Sequence, residues 1–89
     1  MDVLFEKHFL KSIDKLGNKE LQESIIEIIE KVEIAKSLVE IKNIKKLRGY
    51  QTFYRIKLKD YRIGISIENQ KVVFVEFGHR KDIYRKFPK

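Results

Sequence analysis

Apolar and polar positions in this chain follow two different periods, one in each half. In Phe53-Tyr54-Arg55-Ile56-Lys57-Leu58 a strict alternation sends Arg55 and Lys57 to one face and Ile56 and Leu58 to the other. Tyr61-Arg62-Ile63-Gly64-Ile65-Ser66-Ile67 repeats it, with Tyr61, Ile63, Ile65 and Ile67 on the apolar side. A two-residue turn at Lys59-Asp60 pairs Leu58 with Tyr61, Lys57 with Arg62 and Ile56 with Ile63. That register keeps all the apolar residues together. It also sets two cations, Lys57 and Arg62, directly opposite each other, which costs a hairpin roughly a few tenths of a kcal/mol. Folding gains nothing from that pairing, whereas a polyanion-binding surface does.

A third strand near 71–78 allows two readings. A two-residue loop at Asn69-Gln70 turns Val72, Phe74 and Glu76 inward and buries a carboxylate. A three-residue loop turns Val73, Val75 and Phe77 inward and frees Glu76, and this is the expected arrangement. Both faces of the strand are largely apolar, which places it inside the sheet. Parity leaves the directions of His79 and Arg80 open.

Upstream the period lengthens. Met1 to Glu6 alternates as a short first strand, and Phe9, Leu10, Ile13 and Leu16 then fall at helical spacing, with Gly17 as a stop. Asn18 is placed to cap a second helix running to about Lys36. Its stripe is Leu21, Ile25, Ile28, Ile29 and Val32, while Glu20, Glu23, Glu27, Glu30 and Lys31 face water. Residues 37–50 are less regular, and Lys81 to Phe87 is expected to form a short helical turn. The order predicts an α+β fold in one domain over residues 1–89. It comprises an N-terminal strand, an antiparallel helix hairpin, a three-stranded antiparallel sheet and a C-terminal helical turn.

Charge sharpens this picture. Residues 1–44 carry seven Lys against nine acids, a net of −2; residues 45–89 carry thirteen Lys and Arg against four acids, a net of +9. The two sum to the overall +7, so the excess is concentrated in the sheet-forming half. A concentrated basic face fits nucleic acid, ribosome, anionic membrane or an acidic protein. No apolar run reaches transmembrane length and no signal-peptide layout opens the chain, so a cytoplasmic protein without membrane association is expected. The chain has no cysteine, which excludes disulfides, thiolate metal sites and cysteine nucleophiles. With only His8 and His79 as imidazoles, neither a metal site nor a cofactor is expected.

The order of these motifs carries a resemblance. Strand, helix hairpin, Lys46-Leu47-Arg48-Gly49, Tyr54-Arg55-Ile56-Lys57-Leu58, Tyr61-Arg62-Ile63 and the closing Gly78-His79-Arg80-Lys81-Asp82-Ile83-Tyr84-Arg85 resemble the RelE/ParE toxin superfamily over essentially the whole chain. The resemblance implies a RelE-like toxin fold and a toxin of a type II toxin–antitoxin pair. RelE-like members enter the A site of the small (30S) ribosomal subunit and cleave messenger RNA there; ParE-like members are associated with poisoning DNA gyrase. The implied partners are a cognate antitoxin protein and the ribosome with its mRNA and ribosomal RNA.

For the RelE-like branch the implied reaction is metal-independent attack by the substrate's own 2′-OH. It requires in-line geometry, a base, an acid and cations around the charged phosphorane. The resemblance assigns Arg55, Lys57, Arg62 and Arg80 to the cationic cluster, with Arg62 and Arg80 best suited to grip phosphate oxygens. Arg55 stands where the family pattern has lysine, and because arginine stays protonated its expected role is phosphate binding. Lys57 is a candidate base, His79 a candidate proton carrier and Tyr84 a candidate base-stacking residue. Lys45, Lys46 and Arg48 are candidate contacts to RNA. The alternatives are a ParE-like, non-enzymatic gyrase inhibitor and a non-toxic relative that binds only its antitoxin.

Overall fold

The structure is a computed structural model that describes residues 1–88. Strand β1 (Asp2–Phe5) leads into helices α1 (Lys7–Asp14) and α2 (Lys19–Ile34). A 3₁₀ turn at Leu38–Glu40 precedes strands β2 (Ile44–Lys46), β3 (Phe53–Leu58), β4 (Tyr61–Glu68) and β5 (Lys71–His79), and a second 3₁₀ turn spans Ile83–Arg85.

Helix α2 forms where the apolar period predicts it. Asn18 caps it, its side chain accepting from the Leu21 amide at 3.0 Å, which satisfies one of the donors a helix start leaves open. Leu21, Ile25 and Val32 are buried and Ile28 and Ile29 pack beside them, so the stripe meets the sheet. Helix α1 ends at Asp14, before Gly17, and buries Phe9 against Phe5 and Phe74.

The five strands form one mixed sheet in the order β1-β5-β4-β3-β2. The β3–β4 register is as predicted: Leu58 pairs with Tyr61, Lys57 with Arg62 and Ile56 with Ile63. Ile56, Ile63, Ile65, Val72, Phe74 and Phe77 face the helices and close the core with Phe9, Leu21, Ile25 and Val32.

Two features correct the expected sheet. It has five strands, not three plus a detached first strand, because β1 pairs parallel to β5 at one edge and β2 pairs antiparallel to β3 at the other. The β4–β5 loop is also shorter than expected. It has two residues, Asn69 and Gln70, with φ of 49° and 66°, the doubly positive geometry that suits a tight hairpin.

That loop turns Val72 and Phe74 inward. Gly64 then pairs with Glu76 while Ile65 pairs with Phe74, leaving Val75 as the extra residue of a β-bulge. The bulge shifts the parity, so Phe77 also faces the core, opposite Ile63. Glu76, which the two-residue loop turns inward, is buried, not free, and its Oε1 lies 2.7 Å from Nε2 of His8 on α1.

Candidate nucleic-acid interface

The sheet face away from the helices holds the site. On β3, Phe53, Arg55 and Lys57 project to it; on β4, Arg62, Gly64 and Ser66 lie across from them. Two glycines lie on this face, Gly64 paired with Arg55 and Gly78 paired with Arg62. The segment after β5 folds back over these glycines. Ile83 and Phe87 are buried there, outside the main core.

The result is an open groove of about 950 Å³. Lys45, Lys46, Leu47, Arg48, Gly49 and Tyr50 supply one side, and Arg80, Lys81 and Tyr84 the other, with Arg55 and Arg62 also lining it. Seven of these side chains are cationic, and none of the described lining residues carries a carboxylate. Positive charge converging in a concave surface focuses the field and attracts a polyanion.

Backbone carbonyls hold the two strand arginines. Arg55 donates from Nη1 to the Asn43 carbonyl at 2.7 Å, and Asn43 itself sits at φ 63°. Arg62 donates from Nη1 to the carbonyls of Lys59 at 3.0 Å and Tyr61 at 2.9 Å. Such bonds fix the guanidinium planes without neutralising their charge. Arg80 is exposed; its Nε lies 3.8 Å from Oδ1 of Asp60, too far for a hydrogen bond, and its amide donates to the Asp60 carbonyl at 2.8 Å.

Of the residues singled out in the sequence, Lys45, Lys46, Arg48, Arg55, Arg62, Arg80 and Tyr84 line this groove. Lys57 and His79 do not. Lys57 lies directly across the ladder from Arg62 and is exposed beside the groove. His79 pairs with Tyr61 on the helix side of the sheet, its ring edge-on to that tyrosine at 5.7 Å. Its Nδ1 accepts from the Lys81 amide at 3.2 Å, so the imidazole serves the turn out of β5.

Sequence reasoning assigned no role to four lining residues, Leu47, Gly49, Tyr50 and Lys81. Leu47, Gly49 and Lys81 lie inside the quoted motifs and Tyr50 directly follows one, so adjacency to the predicted cations was the available signal. Among the described residues no group of three His, Cys, Asp or Glu is placed to hold a metal. No helix among them is long and apolar enough to cross a membrane.

A helix pair on one side of a mixed five-stranded sheet, with a cationic groove on the other, defines the class of small type II toxins. The family model for the ParE toxin of the type II toxin–antitoxin system, parDE, matches residues 3–84. The chain belongs to this RelE/ParE superfamily of toxins.

Toxin RelE3 of Methanocaldococcus jannaschii is 39% identical over 89 residues, covering 99% of this chain and all of the relative. The toxin in a RelB-RelE antitoxin–toxin complex from Methanococcus jannaschii superposes with a TM-score of 0.79 at 37% identity, covering 96% of this chain and 99% of that one. A chain of the intact E. coli RelBE toxin–antitoxin complex gives 0.65 at 26% identity, over 88% of this chain and 94% of that one.

Proposed function

We propose that this toxin is a ribosome-dependent endoribonuclease that cleaves message in the A site and is neutralised by a RelB-like antitoxin. The observation that carries this reading is the groove itself: seven cationic side chains line it, and among the described residues only Asp60, 3.8 Å from Arg80, pairs with any of them. Arg62 and Arg80 bind the scissile phosphate, and Arg55 supplies further charge to the phosphorane as the 2′-OH attacks. Tyr84, half exposed on the groove wall, offers a ring on which a nucleobase stacks. Lys45, Lys46 and Arg48 contact flanking phosphates.

Proton transfer is where the groove is poor. Its lining offers lysines and tyrosines but no imidazole and no carboxylate. Lys57, across from Arg62, is the candidate base beside the groove, and His79 would act only after leaving its contact with Tyr61. A site rich in charge and poor in proton carriers depends on substrate geometry supplied from outside. This argues for cleavage on the ribosome and little cleavage of free RNA.

The test is purified toxin added to ribosomes programmed with a defined message and an empty A site. Supporting products carry a 2′,3′-cyclic phosphate and a free 5′-OH, and they vanish with Arg62→Ala. Equally rapid cleavage of the same message without ribosomes would overturn the ribosome-dependent reading. The ParE description of the matching family model keeps gyrase inhibition as the second reading. Toxicity that survives both Arg62→Ala and Arg80→Ala would favour it.

A further inference from the structure

The walls of the groove come from segments far apart in sequence, the 45–50 loop and the tail after β5, and one buried ring lies between them. A β-carbon built on Gly64 would fall 2.7 Å from Cδ2 and Cγ of Phe87, so the ring rests directly on the glycine backbone. Phe87 is fully buried although it lies outside the helix-side core. It also meets Phe53 edge-on at 5.4 Å, and Phe53 meets Tyr50 edge-on at 5.5 Å. Tyr50 belongs to one wall; Arg80, Lys81 and Tyr84, a few residues before Phe87, belong to the other.

We propose that Phe87, seated on Gly64, is a positioning residue that fixes the spacing between the two walls and so the placing of Arg80 and Tyr84 over Arg55 and Arg62. Phe87 does not line the groove and touches no substrate. It acts through Phe53 and Tyr50 on one side and through its own tail on the other. The tail is tied locally as well: the Lys86 and Phe87 amides donate to the Ile83 carbonyl at 3.0 and 2.9 Å, and Ile83 stands over Gly78. Those contacts hold the turn but not its distance from the loop, which the Gly64–Phe87–Phe53–Tyr50 chain sets. The part that concerns RNA rests on the function proposed above; the seat itself does not.

The experiment compares wild type with Phe87→Ala, Gly64→Ala, the double variant and Phe87→Leu. It reads amide hydrogen exchange along the chain and the affinity for a short single-stranded oligoribonucleotide. The expected result is amide exchange at positions 86 and 87 at least tenfold faster in both single alanine variants, with core amides of β4 and β5 still protected. Oligoribonucleotide affinity falls several-fold although no groove cation has changed, and Phe87→Leu, which refills the seat, recovers most of it.

The double variant is expected to be no worse than Phe87→Ala, because the alanine methyl on residue 64 then meets no ring. Wild-type-like exchange in Gly64→Ala, or losses that simply add in the double variant, would overturn the seat. Loosened tails with unchanged oligoribonucleotide affinity would overturn the positioning role. A wild-type protein that binds no oligoribonucleotide would count against the function proposed above, and the exchange comparison would still decide the seat.

Discussion

Nε2 of His8, on the first helix, lies 2.7 Å from the carboxylate of Glu76, which is only 4% exposed at the bulge in β5. The carboxylate can only accept, so the imidazole donates. This bond gives a partner to a carboxylate that faces the helices, and it joins α1 to β5, a strand inside the sheet.

Removing the imidazole leaves that carboxylate buried without a partner. His8→Ala is expected to lower stability by about 1–3 kcal/mol, the cost of an unsatisfied buried acceptor. Glu76→Gln keeps an acceptor for the same donor and is expected to cost less. Urea denaturation of both variants checks this. Equal midpoints for His8→Ala and wild type would mean that water replaces the imidazole without loss.

The same bulge marks the limit of what the sequence reveals about the fold. Alternation in β3 and β4 is strict, and the two-residue turn between them leaves one workable register, which is why the Lys57–Arg62 pairing could be read directly. In β5 both faces are apolar, so nothing in the pattern selects the two-residue loop that buries Glu76 or signals the extra residue at Val75 that brings Phe74 and Phe77 to one side. The parallel pairing of β1 with β5 joins residues about seventy apart, with no local turn to betray it. Strand β2, at three residues, is too short for any period to show.

For the groove, charge was visible in the sequence and direction was not. The arginines stood out because they alternate against isoleucines. His79 looked equally suited to the groove until its pairing with Tyr61 set it on the other side.

The β4–β5 turn offers a stabilising change. Gln70 adopts φ 66°, a conformation that costs a residue with a side chain roughly 1–2 kcal/mol and glycine almost nothing. Part of that gain is offset by the added freedom of glycine in the unfolded chain. Gln70→Gly is therefore expected to raise stability by about 0.5–1 kcal/mol, seen as a higher urea midpoint at unchanged slope. A lower midpoint would show that the glutamine side chain makes a contact worth more than the strain.

Electrostatics in the groove have a separate signature in salt. For single strands, each phosphate neutralised contributes about −0.7 to the slope of log affinity against log salt concentration. Arg48→Ala is expected to weaken oligoribonucleotide binding at low salt and to make that slope shallower by about 0.7. An unchanged slope would mean that Arg48, though it lines the groove, does not reach a phosphate.

Arg62 should behave differently from Arg48. Its fork is held by the Lys59 and Tyr61 carbonyls, and under the proposed function that pre-organises it for the charge developing during cleavage. Arg62→Ala is expected to lower the rate of cleavage on programmed ribosomes by about 10²–10³, the usual effect of removing one such donor. Affinity for uncleaved message should fall far less. A change confined to KM would make Arg62 a docking residue only.

Mapping mRNA 5′ ends in cells induced to make the toxin alone decides whether this groove cuts message during translation. Growth arrest with new 5′ ends phased to codons, absent when Arg62→Ala is induced at the same level, is the expected result. Growth arrest with intact messages and broken DNA would contradict it, and would place this toxin among the gyrase inhibitors instead.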